Sequence, residues 1–208
     1  MLVPTAIAKI LKAEGVKFLF AYPLNPIIEA AAAEDIRTII VRQERTGVHM
    51  ADAFSRMTSG DEIGVFVMQH GPGAENSFGG VAQAFGESVP VLIMPAGYDR
   101  KQAHYYPNFN STLNMKHITK WAEPLTSGEE VANVMRRAFA QLRNGRPGPV
   151  LVEIPWDTCK EEADISGYVP SYKTKFAPEN DAVKAAAKAL AEADKPVIYA
   201  GQGINYAK

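Results

Sequence analysis

Short apolar runs alternate with segments of helical period along most of this chain. The runs at 16–21, 38–41, 63–68, 89–94 and 150–154 have the length of buried strands. The segments at 5–14, 27–33, 45–59, 74–86 and 128–144 repeat apolar residues at three- and four-residue intervals, as helices do. Such alternation predicts a doubly wound α/β fold, a mainly parallel sheet with helices on both faces. Stop signals agree. Gly15 and Gly60 each follow a periodic helix, and Ser127 with Glu130 forms an S-x-x-E capping box that opens the segment at 128–144.

Two stretches break the rhythm. Residues 98–116 carry Tyr105, Tyr106 and Phe109 among asparagines and histidines with no clear period, which predicts a functional loop longer than an ordinary connection. Residues 157–178 hold Gly167, Pro170, Pro178 and several charges, and read as a linker across a surface. After them the pattern predicts a helix at 179–193 and a strand at 196–200 that runs into Gly201-Gln202-Gly203. A unit of about 30 residues cannot bury enough surface to stand alone. The expected division is therefore a domain at 1–156, a linker at 157–178 and the truncated start of a second α/β domain at 179–208.

Composition removes several classes. Of 208 residues, 47% are hydrophobic and 22% charged, close to globular averages, which excludes a disordered, collagenous or coiled-coil chain. Twenty-two Lys and Arg against 23 Asp and Glu leave a net charge of -1, with no basic excess for a nucleic acid partner. No run approaches the roughly 20 apolar residues that span a bilayer, so no membrane is expected. The lone Cys159 and the polar-interrupted N-terminus point to the reducing cytoplasm.

In a parallel sheet, ligands gather beyond the carboxyl ends of the strands. Three junctions there are unusual: Tyr22-Pro23-Leu24-Asn25-Pro26, Arg42-Gln43-Glu44, and Gln69-His70-Gly71-Pro72-Gly73. Glu44 stands between an apolar strand and a helix head, partly desolvated, where it could share a proton with a basic ligand nitrogen. An ordinary first-turn Glu that complements the helix dipole would read the same by position. Gly71-Pro72-Gly73 permits close backbone approach to a ligand and opens a helix, and taken alone it is equally a tight turn. It matches neither the phosphate-loop nor the dinucleotide pattern, which disfavours a flavodoxin-like nucleotide binder. His70 is placed to move protons. His49 reads as packing, and the spacing of His104, His117 and Cys159 matches no metal pattern, so no metal site is expected within this chain.

Taken together these junctions resemble the N-terminal, pyrimidine-binding domain of thiamine diphosphate enzymes, in the acetolactate synthase, pyruvate oxidase and benzoylformate decarboxylase group. The carriers, in order, are Ala21-Tyr22-Pro23; Val41-Arg42-Gln43-Glu44 with His49, Ala51-Asp52 and Arg56; Gly71-Pro72-Gly73-Ala74 with Asn76; Ser88-Val89-Pro90-Val91; and Arg146-Pro147-Gly148-Pro149-Val150 with Glu153-Ile154-Pro155. The segment from Lys195 to Gly203 resembles the opening of the family's middle domain.

The resemblance implies that the Glu44 carboxyl hydrogen-bonds N1' of the cofactor's aminopyrimidine and favours the imino tautomer, which deprotonates the thiazolium for attack on a 2-keto acid. It places Pro23, Pro72 and Asn76 against the aminopyrimidine. It implies Mg2+ and diphosphate bound by a separate domain bearing Gly-Asp-Gly, absent from this chain, in a homodimer or homotetramer. The chain alone would then be inactive. Acetolactate synthases usually have Tyr-Pro-Gly-Gly and Thr-Ser where this chain has Tyr22-Pro23-Leu24-Asn25 and Gln69-His70, and Phe-Gln-Glu where it has Phe109-Asn110-Ser111. Those departures make Asn25, Gln69, Phe109 and Asn110 candidate substrate contacts and His70 a candidate catalytic proton donor or acceptor. The expected function is acetolactate synthase-like carboligation or decarboxylation of a 2-keto acid or related dicarbonyl. The alternative is a non-catalytic or heteromeric module that needs a separate diphosphate-binding chain.

Overall fold

A computed structural model describes residues 1–207. Six parallel strands form one sheet: β1 (Phe18–Ala21), β2 (Arg37–Ile40), β3 (Gly64–Met68), β4 (Val91–Gly97), β5 (Trp121–Pro124) and β6 (Val150–Pro155), in the order β2-β1-β3-β4-β6-β5. The helices are α1 (Val3–Ala13), α2 (Ile27–Ala33), α3 (Glu44–Met57), α4 (Pro72–Gly86), α5 (Ser111–Met115), α6 (Val131–Arg143) and α7 (Asn180–Glu192).

Alternation of side chains along each strand divides the core in two. Leu19, Val65, Val67, Leu92, Met94, Val150 and Val152 face one layer, where α1, α2 and α6 contribute Ile7, Leu11, Ile27 and Phe139. Phe20, Phe66, Met68, Ile93 and Leu151 face the other, under Val48 and Ala51 of α3, Ala74 and Val81 of α4, and Met115 of α5. Each of these large side chains is fully or nearly fully buried, which stabilises the fold by about 1.5–3 kcal/mol apiece.

The doubly wound fold is as expected, and most elements fall within two or three residues of their expected bounds. Four differences are informative. β5 was not anticipated, because Trp121-Ala122-Glu123-Pro124 is a short edge strand with neither apolar run nor alternation; it exists by pairing with β6, Trp121 opposite Val150 and Glu123 opposite Val152. The long loop at 98–116 holds the short helix α5, capped by the Asn110 side chain, which accepts from the Leu113 N–H at 2.7 Å.

The Ser127 capping box does not form. Ser127 makes no side-chain cap bond, and the Gly128 N–H donates instead to Glu161 Oε2 at 2.7 Å, so a single turn of 3-10 helix precedes α6. Residues 196–200 form no strand and pair with no other segment among the described residues; Val197 and Tyr199 are 90% and 99% exposed.

The segment expected as a linker is tied to the body as far as Thr174, whose N–H donates to Asn144 Oδ1 at 2.7 Å. Leu2 bridges to Glu162, and the wholly buried Glu14 carboxylate accepts from Arg143, from the Tyr168 hydroxyl and from the Ser171 N–H. Beyond it, α7 buries no residue.

Candidate functional site

All six strands are parallel, so every strand-to-helix junction opens on the same edge of the sheet. The order reverses at β1, whose crossover leads to β2 on one side while β3 lies on the other; this switch point is where such folds bind ligands. Glu44, the turn at 69–73, Tyr98 after β4 and Trp156 after β6 all stand on this edge.

Glu44 is the first residue of α3 and is only 4% exposed. Its burial follows from how tightly α3 lies on the sheet. A Cβ on Gly47 would come within 2.1 Å of the Phe66 ring, and one on Gly64 within 2.0 Å of the Ala51 carbonyl oxygen, so glycine at both places lets helix and strand approach. Extended backbone at Gln43 turns the chain from β2 into the helix without a side-chain cap. The carboxylate reaches toward the first turns of α4: Asn76 Nδ2 donates to Glu44 Oε2 at 3.3 Å. Oε1 faces Gly73, where a Cβ would lie 3.4 Å away, and accepts no hydrogen bond among the described residues. The first turns of α3 and α4 meet here.

The turn into α4 depends on Gly71. Its φ of 55° with ψ of -112° is a conformation that L side chains rarely adopt, and a Cβ there would meet the Tyr98 hydroxyl at 2.7 Å. Pro72 follows as the first helical residue. His70 accepts from the Trp156 indole at 3.1 Å through Nδ1 and packs edge-to-face on Tyr98.

The structure brings together some of the expected residues and gives others different work. Pro23, Pro72 and Asn76 are exposed on this edge, with Asn76 joined to Glu44. Gln69 packs its side chain against Gly73. Asn25 is 6% exposed and its amide is engaged within the fold. Nδ2 donates to the carbonyls of Met68 and Met94 at 2.9 and 3.0 Å, and Oδ1 accepts from the Ile27 N–H at 3.0 Å. This amide ties the ends of β3 and β4 to the start of α2, which leaves no donor hydrogen-bonded to nothing and turned to a substrate. Phe109 packs against the second core layer, and Asn110 caps α5.

Sequence reasoning missed Tyr98 and Trp156 as neighbours of His70. Their only signal was position, each standing just past the carboxyl end of a strand. Beside Pro23, Trp156 also walls an open cavity of about 410 Å³ with Leu24, Ile28 and Ile40. Among the described residues no group of three His, Cys, Asp or Glu is placed to hold a metal ion, and no helix is long and apolar enough to cross a membrane.

Comparison with known proteins relates the chain to one enzyme family. The chain is 36% identical over 211 residues to the protein of Methanocaldococcus jannaschii named "Probable acetolactate synthase large subunit", covering 96% of this chain and 35% of that protein. It is 30% identical over 207 residues to the acetolactate synthase isozyme 3 large subunit of Escherichia coli, covering 91% and 35%. It is also 30% identical over 203 residues to a glyoxylate carboligase of Escherichia coli, covering 94% and 34%. The chain thus spans about a third of the length of these relatives. The family described as thiamine pyrophosphate enzyme, N-terminal TPP binding domain, matches residues 1–121, the segment that carries both Glu44 and the Gly71 turn. A match over more than half of the sequence makes this chain a member of the thiamine pyrophosphate enzyme family.

Proposed function

We propose that this chain is the pyrimidine-binding part of a thiamine diphosphate-dependent enzyme acting on a 2-keto acid or related dicarbonyl, by acetolactate synthase-like carboligation or decarboxylation. One observation carries the reading. The buried Glu44 carboxylate has one oxygen held by Asn76 and the other without a partner among the described residues, at the head of α3. A free acceptor in a desolvated setting, on the same sheet edge as the exposed Pro72 and Pro23, fits a flat heteroaromatic ring with a basic nitrogen.

Thiamine diphosphate, when bound, supplies the electron sink for chemistry next to a carbonyl. The chain's own residues hold and orient it. Glu44 fixes the protonation of the ring nitrogen it meets, Asn76 fixes the Glu44 carboxyl, and Pro23 and Pro72 give the ring an apolar rest. His70, beside Gly71, exchanges a hydrogen bond or proton with the substrate. Gln69 stands with it at the end of β3, and Phe109 and Asn110 shape the loop above.

Mg2+ and the diphosphate belong to a domain outside these residues, and residues 179–208 begin a second unit after the linker. The complete protein works in the cytoplasm as a homodimer or homotetramer. Exposed Phe78 and Phe85 on α4 give the pairing an apolar face, at 39% and 41% exposure. Sedimentation at rising concentration checks the assembly, and a clean monomer throughout would remove it.

Glu44→Gln in the complete enzyme, supplied with a 2-keto acid, thiamine diphosphate and Mg2+, tests the main reading. The amide keeps the shape and loses the charge. Turnover is expected to fall by about 10²- to 10⁴-fold, the usual contribution of a positioned acid-base group. Unchanged turnover would overturn the assignment of Glu44.

A further inference from the structure

The junction after β3 ends on a histidine whose two ring nitrogens have different surroundings. Nδ1 of His70 accepts a hydrogen bond from the Nε1–H of Trp156 at 3.1 Å. An indole nitrogen can only donate, so Nδ1 must be the bare nitrogen, and the neutral imidazole carries its proton on Nε2. The ring is also held in orientation. Tyr98 lies edge-to-face with it at a centroid distance of 4.6 Å and 68°, and the Trp156 ring stands at 6.5 Å and 85°. Nε2, across the ring from the indole, has no hydrogen-bond partner among the described residues, and His70 is only partly buried.

Trp156 reaches this histidine from two strands away. It follows β6, with β4 between it and β3, and its backbone N–H donates at 3.2 Å to the carbonyl of Gly97, the last residue of β4. A side chain must be long, rigid and tipped with a donor to cross that gap and still satisfy an imidazole nitrogen. Trp156 also lines the cavity beside Pro23, so the same indole joins the wall of that cavity to the histidine.

We propose that Trp156 is a positioning residue that holds His70 as a neutral Nε2–H donor, and that this donor meets the carbonyl or carboxylate oxygen of the bound 2-keto acid. The proposal rests on the reading of the chain as part of a thiamine diphosphate enzyme and narrows it, from a histidine that gives or takes a proton to one that donates a hydrogen bond. The lone pair that could act as a base is occupied by the indole. Taking up a proton at Nδ1 would set N–H against N–H and break the contact. A fixed neutral donor, in contrast, stabilises negative charge that develops on an oxygen without reorganising.

The test begins with nitrogen-15 spectra of the 208-residue chain in mildly alkaline buffer. His70→Gln assigns the resonance among the four histidines. The Nε2–H tautomer alone is expected, with a nitrogen–nitrogen coupling across the hydrogen bond to Trp156. An Nδ1–H tautomer, a mixture, or no coupling would overturn the proposal. Trp156→Phe removes the donor and keeps a ring, so mixed tautomers are expected with the backbone spectrum preserved; an unchanged preference would sink the positioning role. If that variant fails to fold, the coupling in the unaltered chain decides.

In the complete enzyme, Trp156→Phe is expected to lower kcat about tenfold while KM holds, as loss of orientation at the reacting oxygen would do. An unchanged kcat would overturn the link to substrate. The tautomer measurement needs no cofactor, so its failure removes the positioning alone. A complete protein indifferent to thiamine diphosphate would remove the underlying reading instead.

Discussion

Two neighbours on the segment after β6 show how far surroundings alone set the chemistry of a side chain. Burial, with the nearby charge of Asp157, pushes the Cys159 thiol up to about 11, so it stays protonated at neutral pH, and its sulfur donates to the Pro155 carbonyl. Asp157 is shifted the other way. Burial raises it, but hydrogen bonds from the Arg100 side chain and from the Arg100 backbone N–H outweigh burial and hold it below the usual carboxylate range.

Its folded pKa is lowered, so the ionised form contributes stability above the unfolded pKa and loses it as pH falls through the folded value. Arg100 also donates to the Thr126 carbonyl and pairs with Glu161, which makes it the tie between the start of the 98–116 loop and the segment after β6. Amide hydrogen exchange in the loop is expected to stay constant from neutral pH down to about the normal carboxylate pKa, and to rise, after correction for intrinsic rates, only in stronger acid. Arg100→Ala should bring the fast exchange to neutral pH. Equal protection in the variant would show that the loop is held by other contacts.

At the scale of elements, the position of Glu44 is a consequence of packing between α3 and β3. An alanine in a helix is favoured over glycine by about 1 kcal/mol, and propensity alone would make Gly47→Ala stabilising. The Cβ would enter the Phe66 ring at 2.1 Å, though, and overpacking of this kind costs about 1–3 kcal/mol. The clash is severe enough for the second effect to win. The midpoint of urea unfolding is expected to fall with the slope unchanged, and a rise would show that α3 can shift without cost. Helices read well from the sequence because their faces repeat: α2 and α6 present Ile27, Ala31, Val134 and Ala138 to the core at regular intervals. β5 did not, because an edge strand of four residues is specified by its neighbour more than by itself. Lys120, just before it, donates to the Gln141 and Asn144 carbonyls at the end of α6, and burial lowers its pKa. No periodic signal marks such a contact.

For the whole molecule, the sequence by itself determined the class of fold. Buried parallel strands must be apolar throughout and their covering helices apolar on one face, and both patterns survive in one dimension. It also determined that Glu44, His70 and Gly71 stand at strand ends, since strand direction fixes which junctions share an edge. Tertiary structure decided what those residues touch. Asn25 was spent on the carbonyls of Met68 and Met94, residues 43 and 69 positions away, and Trp156 was brought to His70 across 86. The Glu14 carboxylate was buried under Arg143, Tyr168 and Ser171, far along the chain. Hydrogen bonds between distant residues leave no periodic trace, because each needs only one donor and one acceptor brought together by the packing of elements far apart in the sequence.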